Sequence, residues 1–380
     1  MAIQPLYFCY ACLLLMPKPD VLILGGGIIG ISLALRLADE KRAVTVLERG
    51  QPGEEASWAA AGMLAPTSEH VHAPGEAELA AASAALYPQW VGHLSERTGL
   101  EVGYRREGTL LVAFDPAEAS HLNSLLGEGL TAEQARRLEP LLSERLLAAR
   151  FLPGDLQVDN RRLLQALITA ATRAGVHFQS QTAVGELRLA SGRAVGVRTT
   201  AGENLDAGAV VNALGCWAGC LPLVGPRLTP TRPVRGQMIA VRADPGSLRH
   251  VIRSQRAYIV PRGEADQGGR LLLGSTMEDA GFDKSVTPSG LRGILAGAGE
   301  IAPALAALPF AEAWAGLRPD SPDHLPILGA TDIPGYFVAT GHFRNGILLA
   351  PITAQLLADV ILGRPPRLSL EPFSPLRFAA

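Results

Sequence analysis

A strand, a glycine turn, a helix and a second strand ending in an acid occupy residues 20–48, and few folds accept that order. Asp20-Val21-Leu22-Ile23-Leu24 is a short apolar run of the kind that fills a buried parallel strand. It opens into Gly25-Gly26-Gly27-Ile28-Ile29-Gly30, which fits G-x-G-x-x-G, and Ile31 to Glu40 continues with helical periodicity. A second strand, Ala43 to Leu47, ends in Glu48, 23 residues after Gly25. Gly25 permits the tight turn, Gly27 lets backbone approach a pyrophosphate, and Gly30 lets helix and strand pack closely. The helix N-terminus offers free N–H groups and a positive dipole to that anion. Glu48 accepts hydrogen bonds from a ribose and repels a 2′-phosphate, which favours FAD or NAD over NADP. The unit predicts an α/β, Rossmann-like dinucleotide-binding domain.

The rest of the chain must supply more than this one domain. At 380 residues it exceeds a comfortable single core, so two domains are expected. Hydrophobic content of 48% excludes a disordered regulator. A net charge of −2 gives no basic surface for nucleic acid or anionic lipid. Four Cys, at 9, 12, 216 and 220, lack the partners of a zinc site and suggest no disulfide framework, which suits the cytoplasm. The apolar residues 1–15 have neither a basic leader nor the length of a membrane span. They are expected to be a disordered or misassigned extension, with Met16 as the start.

Later segments choose between the cofactors. Gly53 to Met63 is dominated by small residues, as expected where backbone lies against a flat ring or a diphosphate. Ala209 to Leu214 reads as another strand with a glycine exit, Gly215, preceded by strands turning near Ser191-Gly192 and Ala201-Gly202. Tyr336 to Thr340 is a further strand leaving at Gly341, followed by a helix that stops near Leu362 before Gly363 and two prolines. The N-terminus of that helix suits the pyrimidine edge of a flavin, where negative charge develops on reduction.

These residues resemble the FAD-dependent amino-acid oxidase family, in particular its bacterial branch that oxidises glycine for thiamine biosynthesis. The resemblance runs from Asp20 to about Arg364. It rests on the glycine turn, Glu48-Arg49, Ala61-Gly62-Met63, Tyr258 to Arg262, Trp314-Ala315-Gly316-Leu317-Arg318-Pro319 and Gly341-His342-Phe343-Arg344-Asn345-Gly346. It implies FAD contacts at Ile28, Ile29, Glu48, Arg49, Ala56, Ser57, Ala61, Gly62, Met63, Val184, and from His342 through Phe343, Arg344, Asn345, Gly346 and Ile347 to Leu348. Relatives with covalent flavin use a cysteine near the C-terminal flavin loop; no Cys follows Cys220 here, so the FAD is expected to be non-covalent. A discontinuous FAD domain (16–75, 155–225 and 320–364) and a substrate domain (76–154 and 226–319) are implied. The first substrate-domain piece reads as helix-rich, with a capped helix over Leu130 to Glu139. The second should form an antiparallel sheet roofing the flavin. A cytoplasmic homo-oligomer, as a homotetramer, is also implied.

On the substrate side, a planar guanidinium is the natural anchor for an amino acid's carboxylate. Arg318 stands at a domain junction; from its neighbours alone it would equally pair with Asp320 or Asp323 on the surface. The resemblance makes it the anchor, adds Arg344 as a second substrate-side Arg, and places Tyr258 and Met277 in the pocket. No residue is assigned as general base; orientation and hydride transfer to the flavin would suffice. The other histidines, including His250 and His324, show no metal-ligand spacing and read as surface residues. Three functions remain open: an oxidase passing electrons from glycine to oxygen, a dehydrogenase passing them to a quinone or protein, and a flavin-binding protein without turnover.

Overall fold

Val21–Leu24 is buried on both sides at every residue, as a central parallel strand must be. This is seen in a computed structural model that describes residues 18–66, 74–222, 224–263 and 268–378; residues 1–15 lie outside these. The strand pairs in parallel with Val44–Leu47 on one side and Ala209–Asn212 on the other. His177–Gln179 and Tyr336–Thr340 extend the sheet in parallel, and Ile327–Ala330 closes it antiparallel, giving six strands. Alternation sorts the side chains. Val21 and Ile23 meet the helices Ile28–Asp39, Pro74–Thr98, Asn160–Arg173 and Gly346–Ile361. Leu22 and Leu24 meet Leu187, Ala194 and Val197 of a three-stranded antiparallel layer, Val184–Ala190, Arg193–Thr199 and Asn204–Asp206.

The second sheet has eight strands, in the order Phe310–Asp320, Arg232–Ala243, Gly269–Gly274, Tyr258–Arg262, Val251–Arg253, Thr109–Ala113, Ala148–Leu152, Glu128–Thr131. All neighbours run antiparallel except Val251–Arg253 beside Thr109–Ala113. Ile239, Val241 and Leu273 turn toward the helix Pro288–Ile301, whereas Met238, Ala240, Leu272 and Trp314 turn toward Ala59 and Ala61 of the first domain.

Residues 76–150 are less helical than expected: Thr109–Ala113, Glu128–Thr131 and Ala148–Leu152 are strands of this sheet. Their runs are short and their partners distant, so local pattern understates them. Thr131 ends one strand and caps the helix Ala132–Leu138 through a capping box with Gln134, which shortens the expected Leu130–Glu139 helix. The helix Pro74–Thr98, assigned by sequence to the substrate side, buries Leu79, Tyr87 and Leu94 in the helical core of the first sheet. Among the described residues, no helix is long and apolar enough to cross a membrane.

Candidate functional site

A deep cleft lies between the two sheets, lined at one end by Gly25 and Glu48 and at the other by Arg318 and Tyr258. It holds about 2010 Å³ of empty space, its open mouth included. Gly25 turns the chain into the helix at φ +105, and a Cβ there would stand 2.4 Å from the Ala213 carbonyl oxygen. Gly30 lies behind the cleft wall, where a Cβ would meet the Gly25 carbonyl at 2.1 Å; its part is packing. Glu48 is buried, and its two carboxylate oxygens accept from the Gly26 and Gly50 amides at 2.8 and 2.9 Å. Each oxygen keeps a lone pair for a ribose hydroxyl. The Ile28 amide, in the first helical turn, donates to Ser57 Oγ at 3.0 Å, leaving the Ser57 O–H to donate to a phosphate. Arg49 lays its guanidinium 3.7 Å from the centre of the Trp217 ring and pairs with Glu55 at 2.6 Å.

The small-residue segment is held open by polar side chains. Asn160 Nδ2 donates to the Ser57 and Trp58 carbonyls at 2.8 and 2.9 Å, and Trp314 Nε1 to the Ala59 carbonyl at 3.0 Å. Arg262, buried, donates to Gln157 Oε1 at 2.5 Å and to the Ala61 carbonyl. Burial pulls its guanidinium down to about 10, which still leaves it charged at neutral pH. Gly62, at φ +67, has no room for a Cβ, which would sit 2.1 Å from the Val158 carbonyl. Ala56, Ala61, Met63 and Val184 line the cleft beside this segment. Sequence reading missed Asn160 altogether and met Arg262 only as part of a motif; a polar residue that supports a loop from a distant part of the chain carries no local signature.

On the far side, His342, Phe343, Arg344, Asn345, Gly346 and Ile347 line the cleft, with Gly346 opening the helix Gly346–Ile361. Leu348, one residue further, points into the helical core and is not part of the wall. His342 is buried with Nε2 3.1 Å from Thr353 Oγ1, and burial pulls its pKa down to about 3, so the ring is neutral.

Arg318 stands in the strand Phe310–Asp320, in register with Val234. Its Nη2 donates to Ser275 Oγ at 2.7 Å and its Nη1 to the Thr276 carbonyl at 3.2 Å. The guanidinium lies across Gly236, where a Cβ would be 2.3 to 2.5 Å from Nη1, Nη2 and Cζ. Asp320 pairs with Arg232 and His324, and Asp323 with Arg377. Tyr258 lies over Gly274, in the same cleft wall, and donates to Met238 Sδ at 2.9 Å. Met277 does not join them. It is 61% exposed and lines an adjacent cavity with Phe343, Arg344 and Asn345, although its neighbour Glu278 still exchanges backbone hydrogen bonds with Arg235 of the sheet. Two histidines read as surface residues are engaged: His250 is buried against Glu139 at 2.6 Å, and His324 pairs with Asp320 at 2.7 Å and stacks on Phe343. The residues fit FAD: an acid at the ribose position, helix-turn amides at the diphosphate, a small-residue face and a second helix N-terminus.

Comparison with known proteins agrees with this geometry. Residues 20–360 match the family described as DAO, FAD dependent oxidoreductase. The chain is 40% identical over 369 residues to a bifunctional protein ThiO/ThiG of Synechocystis, covering 94% of this chain but 54% of that one. It therefore spans about half the length of that relative. It is 37% identical over 368 residues to a glycine oxidase of Geobacillus kaustophilus, covering 93% of this chain and 96% of the relative. A crystal structure of glycine oxidase from Geobacillus kaustophilus superposes with a TM-score of 0.88 at 36% identity, covering 94% of this chain and 98% of the other. The chain belongs to the DAO family of FAD dependent oxidoreductases.

Proposed function

We propose that this chain oxidises glycine, and less readily sarcosine and small D-amino acids, with oxygen as the electron acceptor. Glycine, oxygen and water would give glyoxylate, ammonia and hydrogen peroxide, by way of an imine that can instead supply the thiazole of thiamine. The observation that carries this reading is the Arg318 guanidinium, laid across Gly236 in the cleft wall beside Tyr258. A carboxylate reaching that fork gains two parallel charge-assisted bonds, which fixes the α-carbon's position. FAD, held by the glycine turn, Glu48 and the loop from His342 to Ile347, would supply the hydride acceptor for that carbon and the route of electrons to oxygen. The protein's part is orientation. His342 is neutral and engaged with Thr353, and no other side chain of the cleft is assigned as a base, so the amine gives its proton to solvent. The similarity to glycine oxidases supports the substrate class.

The holoprotein mixed with glycine in air should release peroxide and ammonia in equal amounts. Reduction of a quinone analogue without peroxide would replace the oxidase by a dehydrogenase. No turnover of glycine, sarcosine or D-alanine with either acceptor would leave the flavin-binding reading.

A further inference from the structure

The C-terminal helix Gly346–Ile361 carries Pro351 in its interior. Proline has no N–H and its ring pushes on the carbonyl four residues back, so the Ile347 carbonyl loses its helical donor one turn from the cleft. That carbonyl is not orphaned. Tyr87, fully buried on the helix Pro74–Thr98, donates its hydroxyl to the Ile347 oxygen. Two further side chains of the same helix reach the same turn: Ser83 Oγ donates to the Leu348 carbonyl at 2.6 Å, and Glu76 Oε1 accepts from Asn345 Nδ2 at 3.3 Å. Glu76, Ser83 and Tyr87 are seven and four residues apart, so they form one stripe along that helix. The Tyr87 ring is itself fixed, with Trp90 edge-on at 5.3 Å and Tyr104 stacked at 6.3 Å.

We propose that Tyr87 is a positioning residue for the flavin loop, its hydroxyl replacing the hydrogen bond that Pro351 removes. The first-turn amides of Gly346 and Ile347 have no acceptor within the helix and belong to residues that line the cleft. A helix broken at Pro351 would let that turn fray and swing those amides away from the flavin. Tyr87 closes the break from outside while leaving the amides for the cofactor. Burial drives the Tyr87 ionisation well above the usual tyrosine range, so the hydroxyl stays a donor throughout the working pH range.

The test is a double-mutant cycle on the holoprotein, read by FAD affinity and by the flavin's midpoint potential in a dithionite titration with a reference dye. Neither readout needs glycine, so its outcome is independent of the substrate reading. Tyr87→Phe keeps the ring and should weaken FAD binding by about threefold to tenfold, the worth of one buried hydrogen bond. It should also move the potential in the negative direction, because loosened amides stabilise reduced flavin less. Pro351→Ala restores the backbone donor, so Tyr87→Phe added to it should change FAD affinity by less than about twofold. An equal loss in both backgrounds, or no loss in either, would overturn the proposal. So would a Tyr87→Phe chain that fails to fold and is not restored by Pro351→Ala.

Discussion

Gly236→Ala is a one-carbon perturbation whose consequence can be worked from distances. The new Cβ would stand 2.3 Å from Arg318 Nη1, 2.4 Å from Nη2 and 2.5 Å from Cζ. Contact distance for such atoms is about 3.5–4.0 Å, so the guanidinium must retreat by roughly 1 Å or more. The obstacle is the far end of a flexible side chain, so the strand pairing of Arg232–Ala243 with Phe310–Asp320 should survive, and with it FAD content. A 1 Å displacement of a positioning group can cost about a hundredfold in rate, so kcat/KM for glycine should fall roughly tenfold to a hundredfold. Arg318→Ala removes the fork entirely. A carboxylate left unpaired in a desolvated pocket costs about 3–5 kcal/mol, or two to four orders of magnitude in kcat/KM. Arg318→Lys should recover only part, since an ammonium keeps the charge without the planar fork. The assay is initial-rate peroxide formation, with flavin content measured on each variant. The decisive comparison is Gly236→Ala in the Arg318→Ala background, where no guanidinium is left to displace and no further loss is expected. A full second loss there, or a near-normal Gly236→Ala alone, would refute the reasoning.

Gly27→Val should fold but carry no FAD: among the described residues its Cβ would meet only Ser57 Oγ, at 3.4 Å, so the collision is with the cofactor, and full flavin occupancy on gel filtration would contradict this. His342 is held neutral by a pKa near 3 against 6.5 when unfolded, so the unfolded state binds the extra proton in the window between them and stability is lost as pH falls through it. Urea unfolding should show about 2 kcal/mol lost between pH 7 and pH 5 from this group, a loss absent in His342→Asn. Cys216 is buried, with its thiol pushed up to about 12, while Cys220 is exposed, so iodoacetamide at pH 8 should label Cys220 and spare Cys216 by mass spectrometry.

The nucleotide end of the cleft was legible because its demands are local. Gly25, Gly30 and Glu48 sit within one strand–helix–strand unit, and each answers to a neighbour only a few residues or one strand away. The flavin loop was legible for a similar reason, as a glycine exit from a strand followed by a helix, although Leu348 turned inward because helical geometry carries it past the wall. Gly236 was illegible. Its requirement comes from a guanidinium on the next strand, and no pattern around residue 236 announces it. Asn160 and Arg262 share that difficulty, since each supports a loop of a different part of the chain through backbone carbonyls. The strands between residues 109 and 152 were hidden by short runs among glycines and prolines; they pair with one another and join the larger sheet through Thr109–Ala113 beside Val251–Arg253. Met277 was placed in the pocket by resemblance, and its exposed side chain lines the adjacent cavity instead. His250 shows the converse: a histidine in an unremarkable stretch is buried because Glu139, far away in sequence, accepts from its backbone and ring.

Anaerobic addition of glycine to the yellow holoprotein tests the central claim most directly, since it asks whether this cleft brings the substrate's α-carbon to the flavin before any acceptor intervenes. Glycine should bleach the oxidised flavin absorption, and readmitting air should restore the colour with one peroxide per flavin. The Arg318→Ala protein, with the same flavin content, should stay yellow at the same glycine concentration. Colour that persists in the unaltered protein under saturating glycine, sarcosine and D-alanine would contradict the claim that this cleft is an amino-acid oxidase site.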